Sequence, residues 1–321
     1  MFSAYEIQLN RAIYLFKKSQ KVILTCHQKP DGDCVGSMLA LQEALKQINK
    51  NVLAISVDPL PNRLDFLPGI KNILIIDEAK HFITGADLVV AVDCELNRSG
   101  LEKYISQDTL TISIDHHHDN QKSATVNVIN DLVSATAEII YKFYLKIGLP
   151  VNRDVATNLL TGIFVDTDGF QNPNTSAETL EIVSKLFKTG AKISEIARET
   201  SYEKPLSTLR LWGRILARLQ YNRKFGIITT VATKKDLEEC GASASELEGI
   251  ANYLNAIPGV KITAVVTEQG DGEIKGSLRT IDDNIDVSRL ASLFGGGGHK
   301  KAAGFTIPGQ LQANGQGWKI I

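Results

Sequence analysis

The sequence predicts an α/β protein of two domains, the first a mostly parallel sheet flanked by helices and the second a smaller α/β domain with a mixed sheet. Three observations carry this. The chain has 321 residues, more than one typical domain holds. From residue 21 onward short apolar strands alternate with helical patterns, the signature of a parallel sheet. Beyond residue 219 the strands include a hairpin-like pair with short helices around it. Domains are therefore expected over 1–190 and 219–321, joined by a charged helical linker over 191–218.

The first twenty residues, "MFSAYEIQLNRAIYLFKKSQ", form an amphipathic surface helix. Glu6, Arg11 and Lys17 interrupt it, so it lacks the apolar run expected of a signal peptide. "KVILTC" reads as a strand, and the helix "GSMLALQEALKQINK" follows with positions 38, 41, 45 and 48 on one face. "NVLAISVD", "NILIID", "DLVVAVD" and "LTISID" are further strands. "SATAEIIYKFYLKIG" opens with a capping signal at Ser134 or Thr136 and stops at Gly148. "NRDVATNLLTGIFVDTDGF" is a helix running into one more buried segment, and "NTSAETLEIVSKLFKTG" is a capped amphipathic helix. Pro205 breaks the periodicity of the linker. In the second domain "GIITTVAT" and "KITAVVTEQGDGEIKGSLRT" are strands, "DGE" a turn, and "ASELEGIANYLNAI" and "DVSRLASLF" helices. After "GGGGHKKAAGFTI" the chain ends in a polar tail.

Composition narrows the function. Hydrophobic residues at 43% and charged residues at 22% fit an ordinary globular protein. Thirty-five Lys and Arg against thirty-six Asp and Glu give a net charge of −1, which argues against a binder of long duplex DNA. Phosphate would have to be read by a local site. Cys26, Cys34, Cys94 and Cys240 form no C-x-x-C pair, so neither a zinc knuckle nor a disulfide scaffold is expected and the reducing cytoplasm fits. Cysteines beside the acidic motifs read as small packed hydrophobes. No apolar run is long enough for a membrane span.

Acids and histidines recur at segment ends. "VILTC" runs into "HQKPDGD", "LVVAVD" ends on Asp93, "TISID" runs into "HHHD", and "GIFVD" ends on Asp166. In an open α/β sheet the carboxyl ends of the strands share one edge, where ligands bind. A lone "DGD" is ordinarily a solvated turn, and a lone Asp after a strand a helix cap. Taken as four strand ends in register, they gather Asp31, Asp33, Asp93, Asp115 and Asp166 together. Like charges at about 4 Å repel by roughly 4 kcal/mol at an effective dielectric near 20, so such a cluster calls for divalent cations. Carboxylates with imidazoles and no thiolate favour manganese, iron or magnesium over structural zinc. The number of ligands points to two ions sharing a carboxylate, a pair suited to in-line attack on phosphorus by an activated water.

These residues resemble the DHH phosphoesterases, the family named for the triplet found here as Asp115, His116 and His117. "HQKPDGDCVGS", "VVAVD", "IDHH" and "VDTDGF" resemble its four motifs. "GSLRT" with "GGGGHKKAAGF" resembles the DHH-associated substrate-binding domain. The resemblance implies two manganese ions, with magnesium or another divalent ion as substitutes, in a cleft between the domains. His27, Asp31 and Asp93 would hold one ion, and Asp33, Asp93, His116 and Asp166 the other, Asp93 bridging. Asp115 would orient a histidine ring. His117 would face the substrate phosphate as donor or general acid, with Arg98 as a further phosphate contact. His118 reads as a surface residue beside Asp119.

The four glycines lie between an apolar helix and an apolar strand, where a flexible linker does not belong. Gly296, Gly297 and Gly298 are expected to form a nest for phosphate or a close wall against a base, with Ser277, Arg279 and His299 as polar contacts. No G-K-[ST] follows, which excludes a P-loop. The resemblance implies a compact cytoplasmic enzyme that hydrolyses very short single-stranded RNA to mononucleotides and 3'-phosphoadenosine 5'-phosphate to AMP, often as a homodimer. The alternatives are a cyclic di-AMP or linear dinucleotide phosphodiesterase, an inorganic pyrophosphatase, for which the basic Ser-Arg-Lys-Lys-Gln type motif is missing, and a non-catalytic nucleotide-binding protein.

Overall fold

The computed structural model describes residues 3–202, 205–247, 249–315 and 317–321. The chain divides into two compact units, Met1–Glu203 and Lys204–Ile321.

The first unit opens with α1 (Ala4–Lys18), capped by Ser3 and Glu6 in a reciprocal capping box. Then come β1 (Lys21–Cys26), α2 (Gly32–Gln47), β2 (Asn51–Ser56), β3 (Ile73–Ile75), α3 (Ile76–Ile83), β4 (Leu88–Val92), α4 (Leu96–Ser99), β5 (Leu110–Asp115) and β6 (Val126–Ile129). The α-helices that follow are α5 (Thr136–Ile147), α6 (Arg153–Asp166), α7 (Ala177–Lys188) and α8 (Ile193–Ala197). The six strands form a parallel sheet in the order β3-β2-β1-β4-β5-β6. All of β4 and nearly all of β1 are buried, as central strands covered on both faces must be. β6 is not anticipated from the sequence, because four residues interrupted by Asn127 carry too short an alternation to read.

This strand order places the site. The chain winds outward from β1 to β3 and then returns to the other side of β1 with β4, so the switch point lies between β1 and β4. The carboxyl ends of β1, β4 and β5 are adjacent there. One expectation is corrected: Asp166 does not end a strand but is the last residue of α6. It reaches the same edge because α6 packs across α2, and two glycines permit that crossing. A Cβ on Gly36 would lie 2.3 Å from the Asn158 carbonyl oxygen. A Cβ on Gly162 would lie 2.5 Å from Asp33 Oδ1 and 2.9 Å from Ala137 Cβ.

The second unit comprises α9 (Leu206–Ala217), β7 (Gln220–Asn222), β8 (Ile227–Ala232), α10 (Lys234–Cys240), α11 (Ile250–Asn255), β9 (Ile262–Glu268), β10 (Glu273–Arg279), α12 (Val287–Ser292), β11 (Gly297–His299) and β12 (Ala302–Pro308). Its six-stranded sheet runs β11-β12-β10-β9-β8-β7, mixed because only β8 and β9 are parallel. The polar tail expected at the end is instead a hairpin, β13 (Leu311–Ala313) with β14 (Trp318–Ile320). Trp318 lies against the Arg218 guanidinium, 5.1 Å from the ring centroid, a cation–π contact invisible at a separation of a hundred residues. The stretch 191–218 is shared between the units: Ile196 belongs to the core of the first, Leu211 and Ile215 to a core of the second.

Two glycine substitutions are expected to act in opposite directions. Gly36→Ala forces backbone against backbone and should lower stability by about 1–3 kcal/mol. Gly213 lies within α9, and a Cβ there would meet nothing within 4 Å, so Gly213→Ala should raise stability by roughly 0.5–1 kcal/mol. Urea denaturation followed in each unit measures both, and a neutral Gly36→Ala would show that the α2–α6 crossing is not tight.

Candidate metal centre

The site starts where β1 ends. His27 follows the strand, and its Nδ1 donates to the Gln28 carbonyl at 2.8 Å. A carbonyl can only accept, so it is Nε2 that carries the lone pair of the neutral ring. That nitrogen lies 3.5 Å from Asp93 Oδ2 and 3.9 Å from Asp31 Oδ2. Asp31 is the N-cap of α2, and its Oδ1 accepts the amides of Asp33 and Cys34 at 3.0 and 3.1 Å. The cap fixes the carboxylate and leaves Oδ2 for the site.

Asp33 is fully buried and caps a helix other than its own. Its Oδ2 accepts the Thr136 amide at 2.6 Å, and Oδ1 accepts the Ala137 amide at 3.0 Å and the Ser37 hydroxyl at 3.2 Å. These are the first two orphan amides of α5, whose N-cap residue, Ala135, has no side chain to offer them. Asp93 has a left-handed backbone, φ +63°, uncommon for a residue other than glycine and a conformation that collects at functional sites. Its amide still bonds the Ile114 carbonyl at 2.8 Å, so β4 stays anchored while the carboxylate turns out of the sheet. Thr136 Oγ1 donates to Asp93 Oδ1 at 2.8 Å.

From β5, Asp115 closes the strand fully buried. Its Oδ1 accepts the amides of His116 and His117 and, at 2.7 Å, His117 Nδ1; its Oδ2 accepts Asn120 Nδ2 at 2.6 Å. His116 Nε2 lies 3.1 Å from Asp166 Oδ2 and 3.7 Å from Asp93 Oδ1. It is buried and has no hydrogen-bond partner among the described residues, in a position walled by carboxylates. A neutral imidazole nitrogen so placed is suited to a cation.

Three groups each bring ligand atoms within 4.8 Å of one another: His27, Asp31 and Cys34; Asp93, His116 and His117; Asp33, His116 and Asp166. The donor set fits a hard or borderline divalent ion. Cys34 is buried and engaged with its own helix start, its sulfur accepting the Asp31 amide at 3.2 Å, which suits the packing role expected of it. Arg98 is exposed on α4, and its carbonyl accepts the Gln28 amide, joining the loop after β4 to the loop after β1. His118 is exposed.

Electrostatics follow from this crowding. Burial, helped by the Asp166 charge, pushes the Asp33 carboxyl up to about 7. Burial and the Asp31 charge raise Asp166 to about 7 as well, and burial with Asp33 and Asp31 raises Asp93 well above the carboxylate range. Burial works to raise Asp115 too, but the hydrogen bonds from His117 and Asn120 outweigh it and hold Asp115 low. The bond to Asp115 lifts His117 to about 9 against its burial, with Asp93 adding to the lift. Asp115 and His117 thus form a charged pair beside carboxyls that resist ionising.

In the second unit, strand register aligns the expected substrate contacts. Ser277 pairs with Gly304, which pairs with Gly297; Arg279 pairs with Ala302, which pairs with His299. Directly paired residues point to one face of a sheet, so Ser277, Arg279 and His299 share a face whose floor is glycine and alanine. A Cβ on Gly297 would meet open space, whereas on Gly296 it would lie 2.2 Å from the Gly304 carbonyl oxygen and on Gly298 2.6 Å from that of Ala302. Gly297 and Gly298 open the edge strand β11, and Gly296 immediately precedes it.

Sequence reasoning gives no site role to Thr136, Asn120 or Glu138, all buried in the site's support. The signal available for two of them is "SATAE", which reads as an ordinary helix start.

The raised carboxyls have a consequence for pH. Between about pH 4 and pH 7 the folded protein without metal holds more protons at Asp33 and Asp166 than the unfolded chain, so its stability falls as pH rises through that window. His117 acts in the same sense: its contribution is complete below its ordinary 6.5 and is lost as pH rises through about 9. After chelation, the urea midpoint of the first unit should be lower at pH 8 than at pH 5, Asp166→Asn should shrink the difference, and added Mn2+ should raise the pH 8 value. Equal midpoints at the two pH values would contradict this account of the site.

Residues 21–163 match the DHH family, N-terminal domain, and residues 226–315 match the DHHA1 domain. A protein of Thermus thermophilus named "Bifunctional oligoribonuclease and PAP phosphatase NrnA" is 29% identical over 288 residues, 90% of this chain and 84% of that one. A Bacillus subtilis protein of the same name is 28% identical, covering 94% of this chain and 92% of its own. The crystal structure of an exopolyphosphatase-related protein from Bacteroides fragilis superposes with a TM-score of 0.88 at 26% identity, covering 94% of this chain and 91% of the other. With its first unit built around the DHH triplet and its second matching DHHA1, the chain carries the N-terminal domain of the DHH family and a DHHA1 domain and is a phosphoesterase.

Proposed function

We propose that the protein is a manganese-dependent phosphodiesterase and phosphatase that hydrolyses very short oligoribonucleotides to mononucleotides and 3'-phosphoadenosine 5'-phosphate to AMP. One observation carries the reading. Asp93 turns Oδ2 toward His27 and Oδ1 toward His116, so a single carboxylate stands between two sets of ligands. In this reading His27, Asp31 and Asp93 hold one ion, and Asp33, Asp93, His116 and Asp166 hold the other. Bound there, divalent ions supply charge neutralisation at the phosphoryl oxygens and a water acidic enough to act as nucleophile near neutral pH.

The chain's own groups do the rest. His117, charged through its bond to Asp115, presents Nε2–H as a donor to the phosphoryl or leaving oxygen. Asp115 holds the ring by Nδ1 and is itself held by the His116 and His117 amides on Oδ1 and by Asn120 on Oδ2. Arg98, exposed on α4, contacts phosphate at the rim. Ser277, Arg279, His299 and the floor formed by Gly297 and Gly304 take the nucleoside part, where missing side chains admit a flat base against the strands. The names of the Thermus thermophilus and Bacillus subtilis relatives support this substrate class.

Two sets of measurements test the proposal. Purified protein with Mn2+ and excess substrate should release mononucleotides from di- to pentaribonucleotides over many turnovers, in preference to short DNA, cyclic di-AMP or pyrophosphate. Asp93→Ala should abolish release; full activity in that variant would sink the reading, and a single stoichiometric burst would identify a binding protein. His117→Ala should lower turnover by roughly 10²–10⁴-fold, the range of a general acid. His118→Ala, at an exposed position, should leave turnover within about threefold, and a loss equal to that of His116→Ala would reverse the order assigned to the three rings.

A further inference from the structure

Glu138 is a fully buried carboxylate that no step above uses. It is the third residue of α5, in the first turn, where the helix dipole favours negative charge. Its Oε1 accepts three hydrogen bonds: the Ser134 amide at 2.9 Å, the Ser134 hydroxyl at 2.5 Å and the Thr179 hydroxyl at 2.9 Å. Its Oε2 is buried with no partner among the described residues. Burying a carboxylate with one oxygen unsatisfied is costly, and a helix start does not require it. An ordinary capping box would place Ser or Thr at the N-cap and a solvated Glu at the third position. Here the N-cap is Ala135, and the amides of Thr136 and Ala137 go to Asp33.

The need for a buried acceptor follows from that exchange. With Asp33 acting as a cap from another helix, the geometry of Asp33 depends on where the Ser134–Ala137 turn sits. The same turn carries the Thr136 hydroxyl that bonds Asp93. Glu138 is what fixes the turn, by gripping Ser134 at both its amide and its hydroxyl. On its other side Thr179, also fully buried, links it to the N-cap of α7 through Ser176 at 2.9 Å. Asn174 Nδ2, from the segment leading from Asp166 to α7, donates to the Ser134 carbonyl at 3.2 Å.

We infer that Glu138 is a positioning residue for the metal-binding carboxylates, holding the Ser134–Ala137 turn so that Asp33 and Asp93 keep their orientation, and tying that turn to the segment that follows Asp166. The inference rests on the metal reading of the preceding section. It requires only that Oε1 accept its three bonds, so a neutral amide at this position should serve.

Calorimetric titration of the chelated protein with Mn2+ tests it, together with amide hydrogen exchange in the absence of metal. Glu138→Ala should weaken Mn2+ affinity by about 10–100-fold, the effect expected of groups that orient ligands. Glu138→Gln should keep affinity within about threefold of wild type, because its amide oxygen still accepts from Ser134 and Thr179. Without metal, the Thr136 and Ala137 amides should exchange faster in Glu138→Ala, while those of Ile23 and Val90 in the central strands stay as protected as in wild type. Unchanged affinity in Glu138→Ala, failure of Gln to restore it, or uniformly faster exchange would each overturn the inference. Should Glu138→Ala not fold, Thr179→Val and Ser134→Ala each remove one bond to Oε1 and should weaken Mn2+ severalfold in a folded protein, unchanged affinity in both being contrary. A wild-type protein that fails to bind Mn2+ would instead refute the metal reading itself.

Discussion

Mutual repulsion among the carboxylates of Asp31, Asp33, Asp93 and Asp166 is the constraint that the first unit is built to hold. The switch point of the sheet brings Asp31, Asp33 and Asp93 together, and the α2–α6 crossing adds Asp166. In the protein alone the conflict is met with protons: burial raises Asp33, Asp93 and Asp166, so that ionisation is deferred. Fixed dipoles take up the rest. Asp31 receives the amides of its own helix and Asp33 those of α5, so each acid is aimed before any cation arrives. Orientation that is established in advance need not be established on binding, which is how a support shell raises metal affinity.

Much of this is legible in the sequence, for a physical reason. His27, Asp31, Asp33, Asp93 and His116 announce themselves because polar, titratable residues directly after buried strands have few other uses. Asp166 is legible as a residue but not as a place: "GIFVD" is apolar enough for a buried strand, yet it is the last turn of a helix that approaches along its own axis. Periodicity cannot separate the two because α6 is buried nearly all round, which erases the contrast between faces. The helices that need Gly36 and Gly162 can be read from the sequence; their crossing cannot.

The support residues are illegible for a different reason. Thr136 and Glu138 belong to a local pattern that every amphipathic helix start displays, and what distinguishes them is Asp33, more than a hundred residues earlier in the chain. Asn120 lies beyond the histidine run with no periodic or chemical mark. In the second unit the glycines read as important for close approach, and the register refines that. Gly296 and Gly298 are required for strands to pack against each other, while Gly297 lies open on the face shared by Ser277, Arg279 and His299.

The account depends most on Asp93 serving two ions at once. Diffraction from crystals grown with Mn2+, measured at the manganese absorption edge, locates such ions without reference to any catalytic assay. The account predicts two anomalous peaks roughly 3.5–4 Å apart, one on each side of the Asp93 carboxylate, with His27 beside the first and His116 beside the second. A single peak, or a pair that leaves Asp93 uncoordinated, would contradict it.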